Sequence, residues 1–274
     1  IWSRELLGRG WALLPAFMFG LSPIVLAHGH YVTTDLAATF GFLIGIFAFT
    51  KYLLQQNSKR LWIAGFALGV AELMKFSLIL LWPYFLILIF FFAFVQSRTN
   101  EKTGRFKIFL RNFWFGIRSL FLAGLIAYAI VYLVYFLLTL NYPIQKQVSD
   151  TTFILNSVSP RFLSEIDITL AQNKILRPIA QYMLGVLMTM QRSTGGNTNY
   201  FLGEVSKTGS HYYFPTVFIL KESLPALILI IFGLIMTLGR IIRTSRPISG
   251  IKNNLIDYLG THFPEFSMML FIFI

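Results

Sequence analysis

Leu61-Trp-Ile-Ala-Gly-Phe-Ala-Leu-Gly-Val-Ala-Glu-Leu-Met-Lys75-Phe-Ser-Leu-Ile-Leu-Leu-Trp-Pro-Tyr-Phe-Leu-Ile-Leu-Ile-Phe-Phe-Phe-Ala-Phe-Val95 is an apolar run that charge interrupts only at Glu72 and Lys75. As one helix it would extend about 52 Å at ~1.5 Å per residue. The hydrocarbon core of a bilayer is only about 30 Å thick. The run therefore reads as two spans with a tight turn at Lys75-Phe76-Ser77.

The flanking charge supports this division. Lys51, Lys59 and Arg60 lie before the run, and Arg98, Lys102, Arg105, Lys107 and Arg111 after it. A third basic cluster holds Arg240, Arg243, Arg246 and Lys252, and Arg4 and Arg9 precede the first apolar segment. Cytoplasmic loops carry excess Lys and Arg. All four clusters fall on one side only if 61–95 crosses twice. The expected spans are then 11–27, 36–54, 61–75, 78–95, 113–140, 214–238 and 266–274, with 141–213 as one large extracytoplasmic loop. Within that loop, Arg177–Arg192 carries Ile179, Met183, Val186, Leu187 and Met190 at helical spacing, the pattern of an amphipathic helix on the bilayer surface. Gly41-xxx-Gly45 and Gly65-xxx-Gly69 have the spacing that lets helices approach closely.

Composition agrees. The 274 residues are 56% hydrophobic, 17% aromatic and only 12% charged, where a soluble domain carries about 25% charge; mean hydropathy is +0.67. The net charge of +12 is distributed as loop clusters beside apolar runs, not as a groove for nucleic acid. There is no cysteine, which excludes disulfides, thiolate metal sites and cysteine nucleophiles. The chain begins at Ile1 and ends within an apolar run, so it reads as an all-α integral membrane fragment, one multi-spanning helical bundle truncated at both ends. Phe-, Ile- and Asn-rich usage suggests a prokaryotic cell membrane.

Given this topology, the chemically capable residues converge on one face. His28, His30, Thr33, Thr34 and Asp35 form a polar island between the first two spans. Asp35 suits proton transfer, or stabilisation of a helix N-terminus. The two histidines suit phosphate or metal binding, or an interfacial structural role. Lys75 is a charge within an apolar segment, a default functional signal; its plainer explanation is neutralisation by Glu72, three residues earlier. Tyr200 to Pro215 packs Glu204, Lys207 and His211 among aromatics just before a span that carries Lys221 near its start; an aromatic interfacial belt is the plainer account.

Tyr31-Val-Thr-Thr-Asp35 followed by an apolar helix resembles a signature of the polyprenyl-phosphate-sugar-dependent glycosyltransferases, the protein O-mannosyltransferase type in particular. Gly65 to Ser77 is similar to that family's glycine-rich helix ending in a lysine. Phe201 to Glu204, His211 to Pro215 and Leu220 to Pro225 resemble its loop-to-helix junction. The resemblance implies transfer of a mannose-like hexose from a polyprenyl-phosphate donor to a protein or lipid acceptor, among membrane lipids and facing outside. It implies a first acidic motif upstream of Ile1. Asp35 would be the second acidic position and the catalytic residue within this chain. Lys75 would meet the donor phosphate, while His28, His30, Glu204, His211 and Lys221 would bind substrate. It implies no certain cofactor and leaves a divalent metal open. The alternative expectations are a transporter or flippase of lipid-linked intermediates and a membrane scaffold without a site.

Overall fold

A computed structural model describes residues 2–31, 33–99, 104–194, 198–206, 209–244, 256 and 258–273. Of the residues used above, Val32, Lys102, Lys207, Arg246, Lys252 and Ile274 lie outside the described set. The chain is an all-α membrane protein. A short helix α1 (Trp2–Trp11) leads to α2 (Leu13–Gly20) and α3 (Pro23–His30), a pair bent by 57°. Then come α4 (Thr34–Leu54), α5 (Ser58–Met74), a 3-10 turn (Phe76–Leu80), α6 (Leu81–Thr99) and α7 (Arg105–Thr139). Among the described residues, Thr34–Leu54, Phe76–Arg98 and Arg105–Thr139 are each long and apolar enough to cross a membrane, and counting each of two bent pairs as one span gives up to five. The 17 residues of α5 reach the lower end of the range for a span, about 17–25.

Helix α5 starts at Asn57, whose side chain accepts the Arg60 backbone N–H at 2.9 Å, an N-cap. It stops at Lys75, which is extended with φ −163° and ψ 137°. A second constraint acts further on, at the entry to α6. Pro83 sits in the first turn of α6, where its missing N–H is harmless, but its ring would clash with the carbonyl of Ile79 in a continuous α-helix. The chain therefore enters α6 through the 3-10 turn.

Lipid tails are as apolar as leucine, so helices inside a bilayer associate through close packing and small residues more than by escaping water. The predicted glycine pairs serve that purpose. A Cβ on Gly41 would lie 2.4 Å from Leu78 Cδ2 and 3.3 Å from the Ala71 backbone. One on Gly65 would lie 2.9 Å from the Ala123 carbonyl of α7, and one on Gly69 3.0 Å from the Ala127 backbone. Helix α5 is thereby held tightly between α4 and α7. Phe49 of α4 stacks on Phe85 of α6 at 4.3 Å, and α13 (Phe263–Phe273) closes the bundle through Phe263 and the Thr50–Ser267 hydrogen bond.

Residues 144–194 form three helices, α8 (Ile144–Ile154), α9 (Arg161–Gln172) and α10 (Arg177–Thr194), which cap one end of the bundle. Arg177 fastens the cap. Its guanidinium donates to the carbonyls of Thr139 and Tyr142 at the C-terminus of α7 and to Gln147 Oε1, and Gln147 donates back to the Arg177 carbonyl. A cation there also complements the negative end of the α7 dipole. Helix α10 forms where the amphipathic pattern predicts it, but it docks on protein. Ala180, Tyr182, Leu184, Val186 and Leu187 are buried against α7, α9 and the 3-10 turn, while Met190 is exposed. Beyond the cap, strands β1 (Asn199–Phe201) and β2 (Glu204–Ser206) pair around Leu202–Gly203, both with positive φ, as a two-residue hairpin turn requires. Helices α11 (Tyr213–Lys221) and α12 (Leu224–Thr244) follow, bent by 115°.

Candidate functional site

Asp35 lies in the first turn of α4, and Lys75 follows the last residue of α5. The two helices run antiparallel, so these termini meet. Lys75 Nζ is 2.6 Å from Asp35 Oδ1 across 40 positions of sequence. His28 Nδ1 sits 3.2 Å from the other carboxylate oxygen and 3.1 Å from Thr33 Oγ1. The Thr33 hydroxyl donates to the His28 carbonyl at 3.3 Å. An ionised carboxylate only accepts, so Nδ1, facing Asp35, is assigned as the protonated ring nitrogen. Asp35 thus receives two donors on two oxygens, with the Lys75 and Asp35 side chains 35% and 48% exposed. No side-chain capping bond from Thr33 holds the α4 N-terminus; Thr33 is used by His28 instead.

Neutralisation of Lys75 by Glu72 does not occur. The three-residue spacing brings side chains together only within a continuous helix, and the backbone leaves helical geometry at Lys75. Glu72 is buried, and its Oε1 accepts from the Trp82 indole N–H. Lys75 turns to the α4 side and Glu72 to the α6 and α7 side. No local sequence pattern singles out Trp82, ten positions further on, as the partner of Glu72.

The remaining expected residues do not join this cluster. His30 is exposed and stands edge-on to Tyr31, with ring centroids 5.4 Å apart. Glu204 is exposed at the hairpin, His211 is exposed before α11, and Lys221 is exposed at its end. Among the described residues none of these three bonds to Asp35, Lys75 or His28. Nor do any three metal-capable His, Asp or Glu side chains come together among the described residues; His28 and Asp35 offer two ligands.

A further acidic residue, Asp167, lies in the cap. Ser164, Asp167 and Ala171 share the buried face of α9, a spacing that would have revealed it. Asp167 is 1% exposed, and among the described residues neither carboxylate oxygen has a hydrogen-bond partner. Burial pushes its carboxyl up from 3.8 to about 7. Between those values the folded protein keeps the proton while the unfolded chain has released it, so stability falls as pH rises. At roughly 1.4 kcal/mol per unit, the loss above pH 7 is at most about 4 kcal/mol. Asp167→Asn is expected to raise the thermal midpoint at pH 8 and to flatten its dependence between pH 5 and 8, read by intrinsic tryptophan fluorescence. An unchanged slope would show that the Asp167 proton plays no part.

His28, Asp35 and Lys75 all fall inside one segment with recognisable kin. Residues 2–111 match the dolichyl-phosphate-mannose-protein mannosyltransferase family. The match supports a glycosyltransferase with mannosyltransferase-like activity. It stops short of the cap, the hairpin and α11, which hold Glu204, His211 and Lys221. No curated protein and no solved structure matches the chain.

Proposed function

We propose that the chain transfers a mannose-like hexose from a polyprenyl-phosphate carrier to a protein or lipid acceptor, at the extracytoplasmic face of the membrane. The observation that carries this reading is the Lys75–Asp35 pair with His28 behind it, half open to solvent at the helix ends. In the reaction the bond from the anomeric carbon to the phosphate oxygen breaks, and a bond from that carbon to the acceptor oxygen or nitrogen forms. The acceptor proton needs a carboxylate to receive it, and the departing phosphate needs a cation aimed at its developing charge. Lys75 supplies the cation. Asp35 supplies the carboxylate on the acceptor side, oriented by His28. A donor phosphate arriving at Lys75 competes with Asp35 for the ammonium and releases the carboxylate for the acceptor.

His30 reaches the same face from the end of α3. Glu204, His211 and Lys221 enter as residues of the outer rim, able to touch a large acceptor without touching the reacting carbon. The location of the pair at helix ends favours surface chemistry over transport, which tends to place polar groups and broken helices near the midplane. The test is purified protein given a radiolabelled polyprenyl-phosphate mannose and a hydroxyl-bearing peptide. Label in the peptide is expected. Movement of intact donor across vesicles without transfer would replace this reading with that of a flippase.

A further inference from the structure

Helix α10 does more than cover the bundle. Lys75 is the single extended residue between α5 and the 3-10 turn that Phe76 opens, and the two side chains make contacts on different neighbours. Lys75 points toward Asp35 on α4, while the next residue, Phe76, points toward α10. There its ring occupies a notch made by the absence of a side chain. A Cβ on Gly185 would lie 2.1, 2.3 and 2.5 Å from three carbons of the Phe76 ring. The notch is walled by Tyr182, whose ring centroid is 5.8 Å from that of Phe76. Tyr182 is backed in turn by Tyr135 of α7 at 5.6 Å and by Val131 and Val186. A second tie crosses the same break, since the Trp82 indole on α6 donates to Glu72 on α5. The peptide at Lys75 is therefore gripped from both sides.

We propose that Phe76, seated on Gly185, is a positioning residue that aims Lys75 at the site, so that the cap helix α10 is part of the transfer machinery; this rests on the transfer reading above. Lysine is long and flexible, and the direction in which its backbone launches it decides where the ammonium spends its time. A rotation at residue 75 that lifts the Phe76 ring from the notch swings Lys75 away from Asp35. The family match ends at residue 111, so Phe76 lies within it and Gly185, on α10, lies outside.

Gly185→Ala puts a methyl group where the ring sits. Misplacing a reacting group by about 1 Å costs on the order of 10²-fold, and a loss of that size in kcat/KM is expected. Phe76→Ala empties the notch without a clash and is expected to act in the same direction. The double variant F76L/G185A, with a smaller side chain facing the new methyl, is expected to recover most of the activity. Lys75 acylation by an amine-reactive reagent, resolved by peptide mass spectrometry, gives a second readout that needs no turnover. It should speed up in both single variants and return toward the wild-type rate in the double one. Single variants that fold with wild-type acylation and wild-type kcat/KM overturn the proposal, as does a double variant no better than Gly185→Ala. A wild-type protein that transfers no sugar sinks the transfer reading alone, because Lys75 acylation still reports the coupling.

Discussion

Asp35→Asn is expected to lower sugar transfer by about 10²-fold or more, the usual scale for loss of a proton-transferring group, with little change in thermal midpoint. Shape is preserved, and only the charge is lost. The pair with Lys75 is too exposed to matter much for stability, since half-open ion pairs contribute about 0–1 kcal/mol. The kinetic signature is specific. Lys75 is bound to Asp35 in the free protein, so removing the carboxylate's charge frees the ammonium for a phosphate. Donor affinity should hold or improve while kcat falls. Normal turnover in a folded Asp35→Asn protein would remove Asp35 from the chemistry and leave it as a residue of the α4 N-terminus.

Lys75→Ala should fail in the complementary way. Removing a cation aimed at developing charge costs roughly 10²–10³-fold, and here the loss should include weaker binding of the donor, measured by titration with a polyprenyl phosphate. Lys75→Arg keeps the charge but changes its shape and reach, and should recover binding better than turnover. A lowered thermal midpoint with unaltered donor affinity would make the pair a strut between α4 and α5 and nothing more. Because the two groups act on one donor–acceptor pair, the double variant should lose far less than the product of the single losses.

Much of this arrangement is legible in the residues. The 61–95 run is too long for one span, and its turn falls at Lys75, where the interrupting charge and the basic loops on either side place it. Gly41, Gly45, Gly65 and Gly69 announce helix faces that touch, and in the folded chain they meet Leu78, Leu81, α7 backbone and Ile126. The polar island from His28 to Asp35 stands out because so many hydrogen-bonding groups adjoin apolar helices. Each of these signals is local: a length, a period or a charge where none is expected.

Partner choice is a different matter. Sequence distance favours Glu72 as the companion of Lys75, at three residues against 40 for Asp35. The fold reverses this, because the helix ends at Met74 and an extended residue no longer shares a face with the turn before it. Helix α10 was visible as an amphipathic pattern, but a pattern does not say whether lipid or protein covers the apolar face. Nor does it say that Gly185 receives Phe76, since either residue alone is unremarkable. Length, hydrophobicity and loop charge in the sequence were enough to identify an all-α membrane protein and a chain break at Lys75, because both are local properties. Only the tertiary structure decided which carboxylate holds Lys75 and what holds Lys75 in place, because both depend on side chains brought together from helices far apart in the chain.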